Sequence, residues 1–165
     1  MSPGLPSGES HPSAGTAGRQ HSDPVPSETP HAIDPARVRA VLDIPLHRFV
    51  GVELLDPADP PAGLWFPVGL SAQNQVRLLH GGVVTALLDV AAYLALLPHL
   101  AAAEHAVTHD QAVSLLRPVS ADRRVEVRGT VLRRGRAVAF LRADATVDGI
   151  LVATASVTKT VVPAG

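Results

Sequence analysis

The sequence predicts an α+β domain in which one long apolar helix lies against a sheet of roughly five or six antiparallel strands. Three observations predict it. The run "LLHGGVVTALLDVAAYLALL", from Leu78 to Leu97, is apolar nearly all round, as a helix covered on most sides must be. Beyond Ala106 the chain alternates apolar and polar residues with period two. Asp148-Gly149, set between two such runs, is a two-residue hairpin signal.

The elements follow in order. Residues 1–33, rich in Pro, Gly and Ser with no apolar period, cannot bury enough surface to offset the entropy of ordering and are expected to be a disordered tail. His11, His21 and His31 lie too far apart in that tail to suggest a metal site. The domain is expected over residues 34–165. Asp34 as N-cap and Pro35 at the first helical position open a short helix with Val38, Val41 and Leu42 on one stripe. Pro45 is expected to break it, and Gly51 to begin the extended segment "GVELLD". "DPADPPAG" is a turn, "LWFPVGL" a short strand with Pro67 at an edge or bulge, and "SAQNQVRLL" the loop into the long helix. After it come "AVTHDQAVSLL", then "RVEVRGTVL" with Val125, Val127 and Val131 on one face, then a tight turn at Arg134-Gly135. "AVAFLRADATV" and "ILVATASVTKTVV" complete the sheet.

Composition narrows the function classes. The chain has 165 residues, which suits one domain and a tail. Hydrophobic residues make up 46% and aromatics only 3%, so the core is built from Val, Leu, Ile and Ala. A formal net charge of -1 gives no reason to expect nucleic acid or an acidic membrane surface. There is no Cys, which excludes disulfides, thiolate catalysis and Cys-ligated zinc and fits a cytoplasmic protein. The N-terminus shows no basic-then-apolar signal pattern. Val83–Ala103 is the one membrane-span candidate, but Asp89, Pro98 and His99 interrupt it, so a buried helix is expected instead.

Asp89 is the residue that asks for an explanation. Asp is a poor helix-interior residue and costly to bury unpaired. At about 100° per residue it shares a face with Gly82, Thr85 and Tyr93. One account is structural: Asp89 bonds Thr85 or a backbone group across an interface. The other is a carboxylate held in a partly dry pocket as base or nucleophile. "HGG" at the helix start leaves backbone N–H groups at the positive end of the dipole, where an anion or a developing oxyanion can sit. His80 and Asp89 are nine positions apart. On one helix that is about 13 Å of rise and about half a turn of offset. If both act on one carbonyl, the site is shared between two subunits. Among His80, His99, His105, His109 and Asp110 no pair has the spacing of a known metal site, and His109 and Asp110, adjacent on a strand, are expected to face opposite ways. No metal is expected.

The motif "NQVRLLHGGVVTALLD" resembles that of the hotdog-fold acyl-CoA thioesterases, in the PaaI-like branch of the 4-hydroxybenzoyl-CoA thioesterase superfamily. The resemblance runs from about Ile44 to Val162. Asn74, His80, Gly81, Gly82 and Asp89 fall at matching positions, while Arg77 stands where the family usually has Gly. Thr108 matches a position where relatives often carry Ser or Thr. The resemblance implies a hotdog fold, with the sheet wrapped round the central helix, and a homodimer, often a homotetramer. It implies hydrolysis of an aryl- or medium-chain acyl-CoA at the subunit interface, with coenzyme A entering only as part of the substrate and no cofactor. By role, the Gly81 N–H polarises the thioester carbonyl, with Gly82 lining the substrate. Asp89 activates water or attacks directly. Asn74 places water or the carbonyl, Thr108 bonds the water or Asp89, and His80 orients the loop or substrate. Arg133, Arg134 and Arg136 are candidate phosphate contacts at a hairpin, against a plain solvated turn, and Arg77 is a fourth. Two other readings stay open. One is a non-catalytic hotdog protein that binds acyl-CoA or acyl carrier protein. The other is a structural dimerisation module. The pair of Asp and His that hydratases of this fold carry is not seen.

Overall fold

The helix α3, Gly81–Leu96, begins where a cap is available. His80 has extended backbone and its ring accepts the Gly82 N–H, so the side chain closes the first turn. Leu78 and Leu79, shared in the sequence by the apolar run and the loop "SAQNQVRLL", belong to the loop, held there by bridges to Ser120 and Gln73. Nine of the sixteen residues of α3 are buried. The structure, a computed structural model, describes Met1 and residues 30–164. The expected disordered tail, with His11 and His21, therefore lies outside the described residues apart from Met1 and residues 30–33.

Six antiparallel strands cover α3. They are β1 (Glu53–Leu54), β2 (Leu64–Pro67), β3 (Glu104–Leu115), β4 (Arg124–Arg134), β5 (Val138–Val147) and β6 (Ile150–Pro163), in the spatial order β1-β2-β4-β5-β6-β3. Period-two alternation turns Val125 and Val127 of β4, Leu141, Ala143 and Ala145 of β5, and Ala153, Ala155 and Val157 of β6 inward. They meet Val84, Leu87, Leu88, Ala91 and Ala92 of α3 in one core. Small inward residues let the helix sit close. At Gly129 of β4 a Cβ would lie 2.3 Å from the Ala91 carbonyl oxygen, so only glycine admits this approach. This is the hotdog arrangement, a sheet curled round one helix.

Two proline and glycine assignments differ from expectation. Pro45 does end α1 (Pro35–Leu42), but it also opens a second helix, α2 (Pro45–Val50), because proline at the first helical position loses no internal bond. Gly51, expected to begin a strand, is the left-handed C-cap of α2 at φ 80°. The extended segment after it is consequently only Glu53–Leu54. Elsewhere the turn chemistry holds. Asp148 and Gly149 take φ of 50° and 77°, the pair a tight hairpin requires, and Pro67 sits at the end of β2 where β1 no longer pairs. Together with the turn Leu97–His99, α3 forms nineteen residues apolar and long enough to cross a membrane by composition, yet more than half of them are buried in this fold.

Candidate active site

The loop before α3 is tied by Asn74. Its Oδ1 accepts the N–H groups of Val76 and Leu78, both at 3.0 Å, and its backbone N–H donates to Leu78. The Nδ2 amide makes no bond among the described residues and remains a donor. Arg77, where the resembled family has glycine, adopts φ 61° and is exposed. The loop therefore keeps the left-handed turn that glycine would supply, with an arginine in it.

At the helix entry the two glycines have different fates. The Gly82 N–H donates to His80 Nδ1 at 2.9 Å, so it is not open to substrate as expected, because the cap uses it. The same bond makes Nδ1 an acceptor and places the ring N–H at Nε2. The Gly81 N–H has no acceptor among the described residues. It stands at the positive end of α3 as a free donor.

Two turns further along, Asp89 meets partners from the sheet rather than Thr85. Its Oδ1 accepts from Thr108 Oγ1 at 2.7 Å and from Lys159 Nζ at 2.7 Å, and Lys159 also donates to Thr108 at 2.9 Å. Thr85 instead offers its carbonyl to Gln111. Lys159 is 1% exposed. Burial pulls its pKa below the ordinary lysine value, and the neighbouring Asp89 carboxylate opposes the fall without cancelling it. The Tyr93 ring lies 5.6 Å from the ammonium, and Tyr93 Oη bonds His105 Nδ1 at 3.0 Å.

Strand register builds this cluster. Thr108 and Lys159 are direct partners in the β3–β6 ladder, and the register shifts between Thr108 and Asp110. His109 is the extra residue of a bulge, which keeps Ala106, Thr108, Gln111 and Val113 on the face of the strand that meets α3 and the core. Asp89, Thr108 and Lys159 open onto a cleft of about 680 Å³. Its apolar wall is Val41 and Ile44 beside α1 and α2, with Ala86 and Val90 of α3.

The structure thus gives two separate groups in one chain. Asn74, His80 and Gly81 lie at the start of α3, and Asp89 with Thr108 lies in its middle, about 12 Å of helix rise away. The arginines form a third group. Arg133 and Arg136 are exposed. Arg134 is not available to a phosphate. Its side chain is 10% exposed, paired with Glu104 at 2.9 Å, and bonded to the carbonyls of His99, Gly135 and Arg136. Burial works to raise the pKa of Glu104, but the Ala101 N–H and Arg134 together outweigh it and hold the carboxyl below its usual value. Among the described residues no three His, Asp or Glu side chains converge as metal ligands. Lys159 is the member of the cluster that sequence reasoning missed. The signal was present, since a lysine continues the inward series Ala153, Ala155 and Val157.

Residues 77–154 match the family model described as Thioesterase superfamily. Solved structures share the fold. A thioesterase from Haemophilus influenzae superposes with a TM-score of 0.73 at 21% identity, covering 82% of this chain and 94% of that one. A variant of the phenylacetic acid degradation protein PaaI from Thermus thermophilus gives 0.64 at 27% identity, over 71% and 98% of the two chains. A Bacillus halodurans protein solved with CoA gives 0.67 at 20% identity, over 77% and 82%. No curated protein matches this chain.

Proposed function

Because residues 77–154 match the Thioesterase superfamily model, we propose that this chain is a thioesterase of that superfamily and hydrolyses an acyl-CoA thioester, with Asp89 as the general base. The observation that carries this is a carboxylate with one committed and one free oxygen on a cleft that also has an apolar wall of Val41, Ile44, Ala86 and Val90. Oδ2 of Asp89 takes a proton from water as the water oxygen bonds to the thioester carbonyl carbon. The carbonyl oxygen becomes an oxyanion. Collapse breaks the C–S bond, and the coenzyme A thiolate leaves and takes a proton, giving the free acid and CoA.

The oxyanion needs a donor, and the free Gly81 N–H is the fitting one. Helix rise separates it from Asp89 of the same chain, so the donor facing Asp89 is Gly81 of the partner subunit, and the working unit is a dimer. The unpaired side of β3 supports this. It is a twelve-residue edge of the sheet, the kind that natural proteins cover or pair. Asn74 Nδ2 places the water or the carbonyl beside Gly81. Binding of CoA by a structural relative supports a CoA thioester as substrate. Arg133 and Arg136 are the exposed candidates for its phosphates. A cleft of about 680 Å³ walled by Val41, Ile44, Ala86 and Val90 suits an aryl or medium-chain acyl group.

The test is thiol release from phenylacetyl, hydroxyphenylacetyl, benzoyl, short-chain and medium-chain CoA thioesters, with wild type and Asp89→Asn. Turnover of at least one thioester, reduced about a hundredfold or more in the variant with ligand binding kept, is expected. A folded wild type inert toward all of them, yet binding CoA esters, would replace this reading with that of a carrier or sensor.

A further inference from the structure

We infer that Lys159 is a positioning residue for this hydrolysis: its ammonium, with Thr108, clamps Asp89 Oδ1 and leaves Oδ2 as the one oxygen able to act on water. The inference rests on the proposed hydrolysis and deepens it. The donor inventory forces the arrangement. A lysine ammonium only donates, so the 2.9 Å contact to Thr108 uses Lys159 as donor and Thr108 Oγ1 as acceptor. Thr108 has one hydroxyl proton, and its 2.7 Å contact to Asp89 takes it. Both the hydroxyl and the ammonium therefore end on Oδ1. Thr108 has no proton left for water or substrate. Among the described residues Oδ2 accepts nothing, and Asp89 lines the cleft.

The clamp is built rather than incidental. Lys159 is an inward member of β6 with a side chain 2% exposed, beside a carboxylate that is 29% exposed. A lysine is not buried without a partner, because its desolvation is costly. Here the partners are Asp89 and Thr108, and Tyr93 presents its ring face at 5.6 Å. Lys159 and Thr108 are opposite one another in the ladder at the bulge, so backbone pairing sets their spacing. The other charged or titratable groups on the cleft are Tyr93 from α3, His105 from β3, Arg37 from α1 and His47 from α2. His47 is buried and bonded to the Val41 carbonyl, Arg37 reaches the carbonyls of Ala101 and Glu104, and His105 bonds Tyr93. None of these four bonds Asp89, so Lys159 is its one cationic partner among the described residues.

The experiment compares wild type, Lys159→Met and Lys159→Arg, alone and with Asp89→Asn, on whichever thioester the wild type hydrolyses. Lys159→Met is expected to lower kcat about ten- to a hundredfold with KM changed less than about threefold, and Lys159→Arg to restore most of the loss. In the Asp89→Asn background Lys159→Met should cost nothing further, since it acts through that carboxylate. The wild type should also lose kcat at alkaline pH below the ordinary lysine range, a limb that Lys159→Arg removes because arginine keeps its charge. Melting curves establish that each variant is folded. If Lys159→Met does not fold, Lys159→Arg carries the test through the alkaline limb. Equal losses in both backgrounds, an unchanged kcat, or an alkaline limb that persists in Lys159→Arg would overturn the clamp. Absence of wild-type turnover would instead be the failure of the proposed hydrolysis. The clamp is then read from the NMR signal of the Lys159 ammonium, expected to be protected from solvent exchange in wild type and to lose protection in Asp89→Asn. An unprotected signal in wild type would overturn it.

Discussion

Replacing Gly129 by alanine tests how closely the helix must sit on the sheet for Asp89 to reach its partners. The added Cβ would stand 2.3 Å from the Ala91 carbonyl oxygen and 2.9 Å from Ala92 Cα, where ordinary contact begins near 3.4 Å. Both atoms are backbone, so no rotamer change relieves the clash, and α3 must lift from β4 by about 1 Å. Overpacking of this kind costs about 1–3 kcal/mol, and a backbone collision belongs at the upper end. The gain from removing a strand glycine offsets about 0.5–1 kcal/mol of it. The net loss is about 2 kcal/mol, which for a domain of this size lowers Tm by about 6 °C. Asp89 lies two residues before Ala91 on the same helix, so it shifts relative to Thr108 and Lys159, which stand on other strands of the sheet. A displacement of about 1 Å at a reacting group costs on the order of a hundredfold in rate. Differential scanning calorimetry and thiol-release kinetics read the two effects. Gly69→Ala is the control. That residue has φ -74° and open space around its Cβ, so its Tm should hold or rise slightly. A Gly129→Ala protein that melts within about 2 °C of wild type at unchanged kcat would refute the reasoning.

Two further expectations follow from single residues. Arg77→Gly should raise stability by about 0.5 kcal/mol, because relief of the left-handed strain at φ 61° exceeds the entropy glycine adds to the unfolded chain. Urea unfolding measures it, and a lower midpoint would contradict it. Glu104 is held below its usual carboxyl value in the fold, so its contribution is complete above the unfolded value of about 4.5 and is lost as pH falls through the lower folded one. Glu104→Gln should therefore be less stable than wild type at neutral pH, with the gap closing in acid. A gap that stayed constant with pH would show that the pair with Arg134 does not titrate in this way.

Much of this protein is set locally, and the sequence displays it. Alternation of apolar residues placed β3 to β6, and Asp148-Gly149 placed their last turn, because the hairpin geometry depends on two adjacent residues. An apolar run opening with His-Gly-Gly located α3 and its cap, although two leucines before it were claimed by the loop. Asp89 stood out because an acid in such a helix needs a reason. The tertiary structure decided what that reason is made of. Lys159 lies seventy residues from Asp89, and only the pairing of β3 with β6, shifted by the bulge at His109, brings it opposite Thr108. Arg134 looked like a free cation beside Arg133 and Arg136 until Glu104, thirty residues away, claimed it. Local patterns report the period and the turns of a chain. Which side chains share a dry pocket depends on long-range register, and there a one-residue shift redirects every contact.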